Sequence, residues 1–345
     1  MAKPSLWGLK KLVSKPWPVQ GQAVSSPQGQ VIVDLKDYLQ HETISRLFLR
    51  VRGTINQAGQ ASGAGAATGR DNPEALVVNV TARHTPALGV VSKNALTPRG
   101  FIAQGKFDRG YAITGTALTD PNSAGTVTPS VDYILPLVFK MPGATNPIEW
   151  ALPMSAFSSY QLTITVGGKE QLFTGGTTTW DPSGLNIEIW ADIDDGVAGV
   201  FHLLEEFEAT YPILATQSDF QILLEKGFYY THLLFIANTA NARDNTVVNG
   251  ITVQSAGRVW TPQGDKNAAV IQRWNRESHV VNAAEDLNGI YFIPALRDGM
   301  FTRAIDATLD RVECKLDVTF GAGPTNIIVR ARRISPQALQ VRKAA

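Results

Sequence analysis

Apolar and polar residues alternate with a period of two along much of this 345-residue chain. YQLTITV, from Tyr160 to Val166, puts Leu162, Ile164 and Val166 on one face. LNIEIWADI (Leu185 to Ile193), QVIVDL (Gln30 to Leu35), LVVNV (Leu76 to Val80) and YILPLVF (Tyr133 to Phe139) read the same way. In ISRLFLRVRGTI, Leu47, Leu49 and Val51 alternate with Arg46, Phe48, Arg50 and Arg52. Such runs, bounded by turn residues, predict half-buried strands. One segment departs from this pattern. In VAGVFHLLEEFEATY, Val200, Leu203, Leu204 and Phe207 fall at i, i+3, i+4 and i+7, after Asp194-Asp195-Gly196 and before Pro212. That spacing predicts a helix from Val197 to Tyr211, placed as a connector. A shorter helix is expected between Ala269 and Glu277.

The second half echoes the first in four blocks of preserved order. QVIVDLKDYLQHETISRLFLRVRGT is echoed by DFQILLEKGFYYTHLLFIANT, which starts at Asp219. YILPLVFKM matches YFIPALRDGM, with Pro136 against Pro294. LTITVG matches LDVTFG, with Gly167 against Gly321, and LNIEIWADI matches TNIIVRARRI, with Asn186 against Asn326. The fold class expected is all-β: two tandem jelly-roll β-sandwiches joined by a short helical connector. Residues 1–29 read as a basic N-terminal arm and 30–196 as the first jelly roll. Residues 197–214 read as the helical connector and 215–345 as the second jelly roll with a basic C-terminal tail. The Gly-rich stretch from Asn56 to Asn72 reads as an exposed loop between strands.

Composition narrows the function. An apolar fraction of 44% supplies full cores, while 18% charged residues with 30 Gly and 19 Pro suit a loop-rich β protein. The net charge of +1 argues against coating nucleic acid by bulk electrostatics, and no sequence-specific nucleic-acid partner is expected. The single cysteine, Cys314, excludes an intrachain disulfide framework and a Cys-rich zinc site. No apolar run reaches the length of a membrane-spanning helix. No secretory signal is evident, so synthesis in the cytoplasm is expected.

Candidate chemistry is sparse, and no catalytic or cofactor-binding residue emerges. Gly63, Gly65 and Gly69 lack the Lys-Ser/Thr of a phosphate-binding loop. Asp192, Asp194 and Asp195 resemble the start of a calcium loop without its distal acid, so a structural divalent cation is the only cofactor they suggest. His202, Glu205 and Glu206 read as an exposed helix face rather than a metal or proton-transfer site. Cys314 alternates with Leu316 and Val318 and reads as a buried thiol. The N-terminal stretch mixes Lys3, Lys10, Lys11 and Lys15 with Trp7 and Trp17. That mixture suits an anionic membrane surface or an acidic partner, with any helix limited by prolines to Ser5 through Ser14. Arg330, Arg332, Arg333, Arg342 and Lys343 read as a solubilising tail.

On the paired blocks ISRLFLRVRGTIN and THLLFIANT, YILPLVFKMP and YFIPALRDGM, YQLTITVGG and CKLDVTFG, and LNIEIWADID and TNIIVRARRI, the chain resembles double jelly-roll major capsid proteins of icosahedral, often membrane-containing, bacterial and archaeal viruses. The resemblance implies a homotrimer whose six jelly rolls form a pseudo-hexagonal capsomer in a capsid lattice within the virion. Internal membrane lipid or minor capsid proteins would be further partners, with Lys3, Trp7, Lys10, Lys11, Lys15 and Trp17 facing inward. The alternatives are a viral spike or carbohydrate-binding β-sandwich protein, and a jelly-roll glycoside hydrolase with Trp150, Trp180, Trp190, Trp260 and Trp274 lining a groove.

Overall fold

The computed structural model describes residues 8–18, 29–58, 68–69, 76–86, 92–96, 126–137, 147–168, 173–174, 179–195, 197–240, 242–260, 267–278, 287–295 and 304–341. Two β-sandwiches follow one another, each built on two four-stranded sheets. In the first half the strands are β1 (Gly8–Pro16), β2 (Gly29–Asp34), β3 (Thr43–Thr54), β4 (Val77–Pro86), β5 (Ser92–Leu96), β6 (Ser130–Leu137), β7 (Phe157–Val166) and β8 (Leu185–Asp194). In the second they are β9 (Gly199–Ile213), β10 (Gln217–Leu223), β11 (Phe228–Thr239), β12 (Val248–Ser255), β13 (Arg258–Val259), β14 (Ile290–Pro294), β15 (Glu313–Val318) and β16 (Thr325–Val341). The first half pairs them in the orders β1-β8-β3-β6 and β2-β7-β4-β5; the second pairs them β9-β16-β11-β14 and β10-β15-β12-β13. Each strand thus has a counterpart eight strands later, and the two jelly rolls share one topology. Short strands in the connections extend this plan. Leu152–Pro153 adds to β3, and Ile305–Ala307 adds to β11.

The period of two does what the sequence suggests. Along β7 every second residue from Tyr160 is buried, and Leu162, Ile164 and Val166 enter a core with Leu47, Leu49 and Val51 of β3 and Ile187 and Ile189 of β8. A separate core in the second half is formed by Leu233, Phe235, Val253, Leu316 and Val329. Full burial of each such side chain contributes roughly 1.5–3 kcal/mol. Helix α1 (Ala268–Ser278) occupies the place expected for the shorter helix. It buries Ile271 in the second core, and the Asn275 side chain bonds both the N–H and the C=O of Phe292.

Three expectations are corrected here. The segment read as a connector helix is strand β9, paired antiparallel with β16 from Gly199↔Val341 to Ile213↔Thr325. Its helical spacing arises at a bulge between His202 and Leu204. Beyond the bulge Phe207, Tyr211 and Ile213 alternate onto the second core. Among the described residues no helix separates the halves. Of the N-terminal arm, Gly8–Pro16 is strand β1, paired with β8, and Trp17 is buried in the first core, so the helix expected within Ser5 to Ser14 is not formed in its described part, from Gly8 onward. Arg330, Arg332 and Arg333 are not in a tail but lie in β16, a central strand of its sheet, while Arg342 and Lys343 lie outside the described residues. Of the Gly-rich loop, Asn56–Ala58 and Thr68–Gly69 are short strands, and the remainder lies outside the described residues.

The matched blocks fall on corresponding strands, with two shifted in register. Gly167 N–H bonds the Leu76 carbonyl at 2.8 Å, one residue past Val166↔Val77. Its counterpart by geometry is Thr319, whose N–H bonds the Val247 carbonyl at 2.8 Å past Val318↔Val248. Gly321 lies two residues further on. Asn186 and Asn326 each face a proline, Pro16 and Pro212. With these aligned, Phe48 corresponds to Leu234, whose neighbour on β14 is Phe292. Pro294 therefore also sits two residues beyond the place of Pro136. A two-residue shift preserves which face each side chain occupies, so alternation alone does not resolve it.

Candidate assembly surface

Among the described residues the chemistry-bearing side chains do not converge. Cys314 is buried, and burial pushes its thiol well above the ordinary range, where it is inert. His84 is buried on β4, stacked on Tyr160 at 5.5 Å and edge-on to Phe157 at 5.1 Å. Burial lowers its pKa to about 4, so it is a neutral packing group at pH 7. Asp192 is engaged by Arg46, whose Nη2 and Nε lie 2.6 and 3.0 Å from Oδ2. Asp194 follows on the same strand and Asp195 lies in the bend after it. Among the described residues no group of three His, Cys, Asp or Glu side chains could hold a metal. The tryptophans are dispersed too. Trp180 and Trp260 pack against different cores, and Trp150 seats on Leu204 and Ile334 between the halves.

What the first half does build is a charged sheet face. The outward side chains of β1, β8, β3 and β6 form a ladder of ion pairs centred on Glu188, which is almost fully enclosed. Its Oε1 meets Lys11 Nζ at 2.5 Å and Arg52 Nη2 at 2.8 Å, and its Oε2 accepts from Trp190 Nε1 at 3.0 Å. Burial alone would raise this carboxyl. The bonds from Lys11 and Trp190 and the charge of Arg52 outweigh it and hold the pKa below the usual range. Beside it Arg50 forks onto Asp132 at 2.8 and 2.6 Å. Leu9 and Ile134 lie exposed on the same face.

Of the residues expected to contact an interior partner, Lys10, Lys11 and Lys15 are exposed on β1. Lys11 is committed to Glu188. Trp17 is a correction: it is 3% exposed and closes the first core, so its ring cannot lie at a headgroup boundary. Lys3 and Trp7 lie outside the described residues.

The corresponding face of the second half is sealed. Glu206 accepts from Arg332 Nη2 at 2.9 Å and Nε at 3.1 Å, and also from Arg330. Arg330 reaches Glu208 at 3.7 Å. On the opposite face of the same two strands, at the margin of the second core, Arg333 bonds Glu205 at 3.1 Å and Glu225 at 2.6 Å, its guanidinium 3.7 Å from the Phe228 ring centroid. Glu205 and Glu206 are therefore buried partners of arginines, not an exposed helix face. The sequence carries an overlooked signal. EEFE (Glu205 to Glu208) and RARR (Arg330 to Arg333) are complementary when antiparallel, and the ladder pairs Glu205↔Arg333, Glu206↔Arg332 and Glu208↔Arg330.

No protein-family model and no curated protein sequence matches the chain. Solved structures do. The major capsid protein of Sulfolobus turreted icosahedral virus is similar over 95% of this chain and 96% of its own, with a TM-score of 0.63 at 14% identity. The PBCV-1 virus capsid matches over 99% and 98%, with 0.57 at 13% identity. The major capsid protein P2 of bacteriophage PM2 matches over 96% and 100%, with 0.56 at 11% identity. The likeness spans both sandwiches in each case and establishes the fold: this chain is a double jelly roll of the kind from which these coat proteins are made.

Proposed function

We propose that the protein is a structural coat subunit that assembles with copies of itself into a virion shell, made in the host cytoplasm and carried in the particle. The observation that carries this reading is the double jelly roll spanning the whole described chain, matched end to end with major capsid proteins. A homotrimer presenting six sandwiches in a pseudo-hexagonal outline is the assembly proposed. Its contacts with internal lipid or minor proteins would fall to the N-terminal segment, where Lys10 and Lys15 are the exposed cations of β1 not committed to Glu188.

The test is electron microscopy of purified protein with its mass measured alongside. Shells, or particles of trimer mass and hexagonal outline, are the expected result, because obligate interfaces of roughly 2,000 Å² or more persist on dilution. A monodisperse monomer at micromolar concentration would overturn the assignment.

A further inference from the structure

The outer strand of a sheet turns a row of backbone N–H and C=O groups away from its one neighbour, and those groups need partners. In the second half this strand is β14, which pairs with β11 from His232↔Pro294 to Ile236↔Ile290. Along an antiparallel pair a residue either exchanges both bonds with the strand opposite or turns both away. Phe292 turns both away from β11. Its N–H donates to Asn275 Oδ1 at 2.9 Å, and its carbonyl accepts from Asn275 Nδ2 at 2.7 Å. Asn275 stands on α1 and is 0% exposed. Two residues earlier, the Ile290 carbonyl accepts from Gln272 Nε2 at 3.2 Å, and the Ile290 N–H bonds the Leu287 carbonyl at 3.0 Å. Two residues later stands Pro294, which has no N–H. Every N–H in the outward row of β14 is thus accounted for. A carboxamide offers one acceptor and one donor group, as a strand residue does, and Asn275 uses both on Phe292.

The first half meets the same need at the same place by other means. Phe292 faces Leu234 as Pro136 of β6 faces Phe48, so Phe292 and Pro136 are equivalent. A proline there removes the N–H that a further strand would use. In β14 that N–H is kept and covered. The cover packs on a narrow base. Among the described side chains of α1, Ala268, Ile271 and Asn275 are buried, and Ile271 is the one large apolar residue of the three. Gln272 adds bonds to Asn245 Oδ1 at 2.7 Å and to the Leu287 carbonyl at 2.8 Å. Carboxamide bonds, more than apolar area, hold the helix on the strand.

We infer that α1 is an edge cap: through Asn275 and Gln272 it takes the place of the next strand and keeps β14 from pairing with the same edge of a second copy. Without the cap, two β14 strands can lie antiparallel about Phe292, each Phe292 exchanging both of its bonds with the other. Such a contact is isologous, and an uncovered edge is a ready template for association. The cap acts within one protomer and is separate from the coat-protein reading.

The experiment uses the full chain. Hydrogen–deuterium exchange is read residue by residue by fragmentation of the labelled protein, and folding by circular dichroism. In the wild type the Phe292 amide is expected to exchange within tenfold of Tyr291 and Ile293, its neighbours on β14, although it faces away from the sheet. Asn275→Ala should speed Phe292 at least tenfold and leave Leu162 in β7 unchanged. Arg273→Ala, on the exposed side of α1, should change neither. Light scattering at rising concentration then reads the edge. Asn275→Ala is expected to gain mass over the wild type, with Phe292 regaining slow exchange in the associated form. Adding Phe292→Pro, the first half's solution, should restore the wild-type mass. Should Asn275→Ala fail to fold, Gln272→Ala is taken through the same measurements, with Ile290 and Phe292 read together and a smaller gain expected. Fast exchange of Phe292 in the wild type, or unchanged exchange in the folded variant, overturns the cap. Wild-type mass at every concentration, or association in which Phe292 stays fast, overturns the pairing it is inferred to prevent.

Discussion

Replacing Glu206 by alanine is the sharpest test of how the second jelly roll is held together. Its carboxylate is shared by two guanidiniums, Arg332 through Nε and Nη2 at 3.1 and 2.9 Å and Arg330 through Nη2. Both arginine side chains are 1% exposed. Removing the acid takes away the carboxylate that the two cations share in a site closed to water, leaving Arg330 with Glu208 at 3.7 Å, and breaking a buried pair from one side costs about 3–5 kcal/mol. At roughly 2–4 °C per kcal/mol for a protein of 150–250 residues, the unfolding temperature should fall by about 6–20 °C. Glu206→Gln, which keeps the shape and loses the charge, should suffer most of this loss. Asp132→Ala is the comparison. Its partner Arg50 lies at the surface, where such pairs contribute about 0–1 kcal/mol. Urea unfolding followed by tryptophan fluorescence, at a concentration where all variants share one oligomeric state, gives the values. If Glu206→Ala and Asp132→Ala both cost less than about 1 kcal/mol, the sealed face is not sealed in solution and the reasoning fails.

Three other outcomes follow from the same geometry. The His84 pKa of about 4 lies below its ordinary 6.5, so its contribution is fully present above pH 6.5 and is lost as pH falls toward 4. Between pH 7 and 4.5 the wild type should lose roughly 2–3 kcal/mol more than His84→Phe, read from urea midpoints; parallel losses would show that the ring is solvated. Trp150→Ala empties the contact with Leu204 and Ile334 and should cost about 3–5 kcal/mol, with limited proteolysis cutting near Asp195–Gly199 first; unchanged protease resistance would count against Trp150 as the anchor between halves. Gly53 has φ +140° and a Cβ there would lie 2.0 Å from the Gly184 carbonyl oxygen, whereas Gly257 has φ +76° and open space. Gly53→Ala should therefore cost clearly more than the about 1–2 kcal/mol expected of Gly257→Ala, and equal melting temperatures would refute the difference.

Alternation along β3, β7 and β8 was sufficient to read the sandwich strands, because each buries one face and so repeats every second residue. It failed where a strand is buried on both faces or interrupted. In β11 every residue from Tyr230 to Asn238 is buried, which hides the period. In β9 one bulge converts alternation into apparent helical spacing. The N-terminal strand was obscured in a similar way. A shift in pairing between Lys11 and Val13 turns Leu12 inward, so lysines and apolar residues read as an amphipathic arm. The candidate surface was less legible still, since it consists of partners far apart in sequence: Glu188 with Lys11 and Arg52, and Glu206 with Arg330 and Arg332. The antiparallel complementarity of EEFE and RARR could have located the second set. The first has no comparable run, because its charges come from three strands in turn.

The two equivalent faces also differ in how their charges are satisfied, and the difference suits their fates. On the sealed face the carboxylates of β9 and the guanidiniums of β16 are enclosed once, when the chain folds, and need not meet water again. On the proposed coat-protein reading, the open face would exist in water before any second copy arrives. There each cation has an acid of the same protomer: Arg46 with Asp192, Arg50 with Asp132, and Lys11 and Arg52 with Glu188. A partner covering this face would desolvate pairs that are already formed rather than lone charges, which lowers the cost that makes buried ions unfavourable at interfaces. Leu9 and Ile134 supply apolar area beside them. A subunit that folds alone and joins later needs a surface satisfied in both states, and an internally paired ladder flanked by exposed leucine and isoleucine meets that requirement.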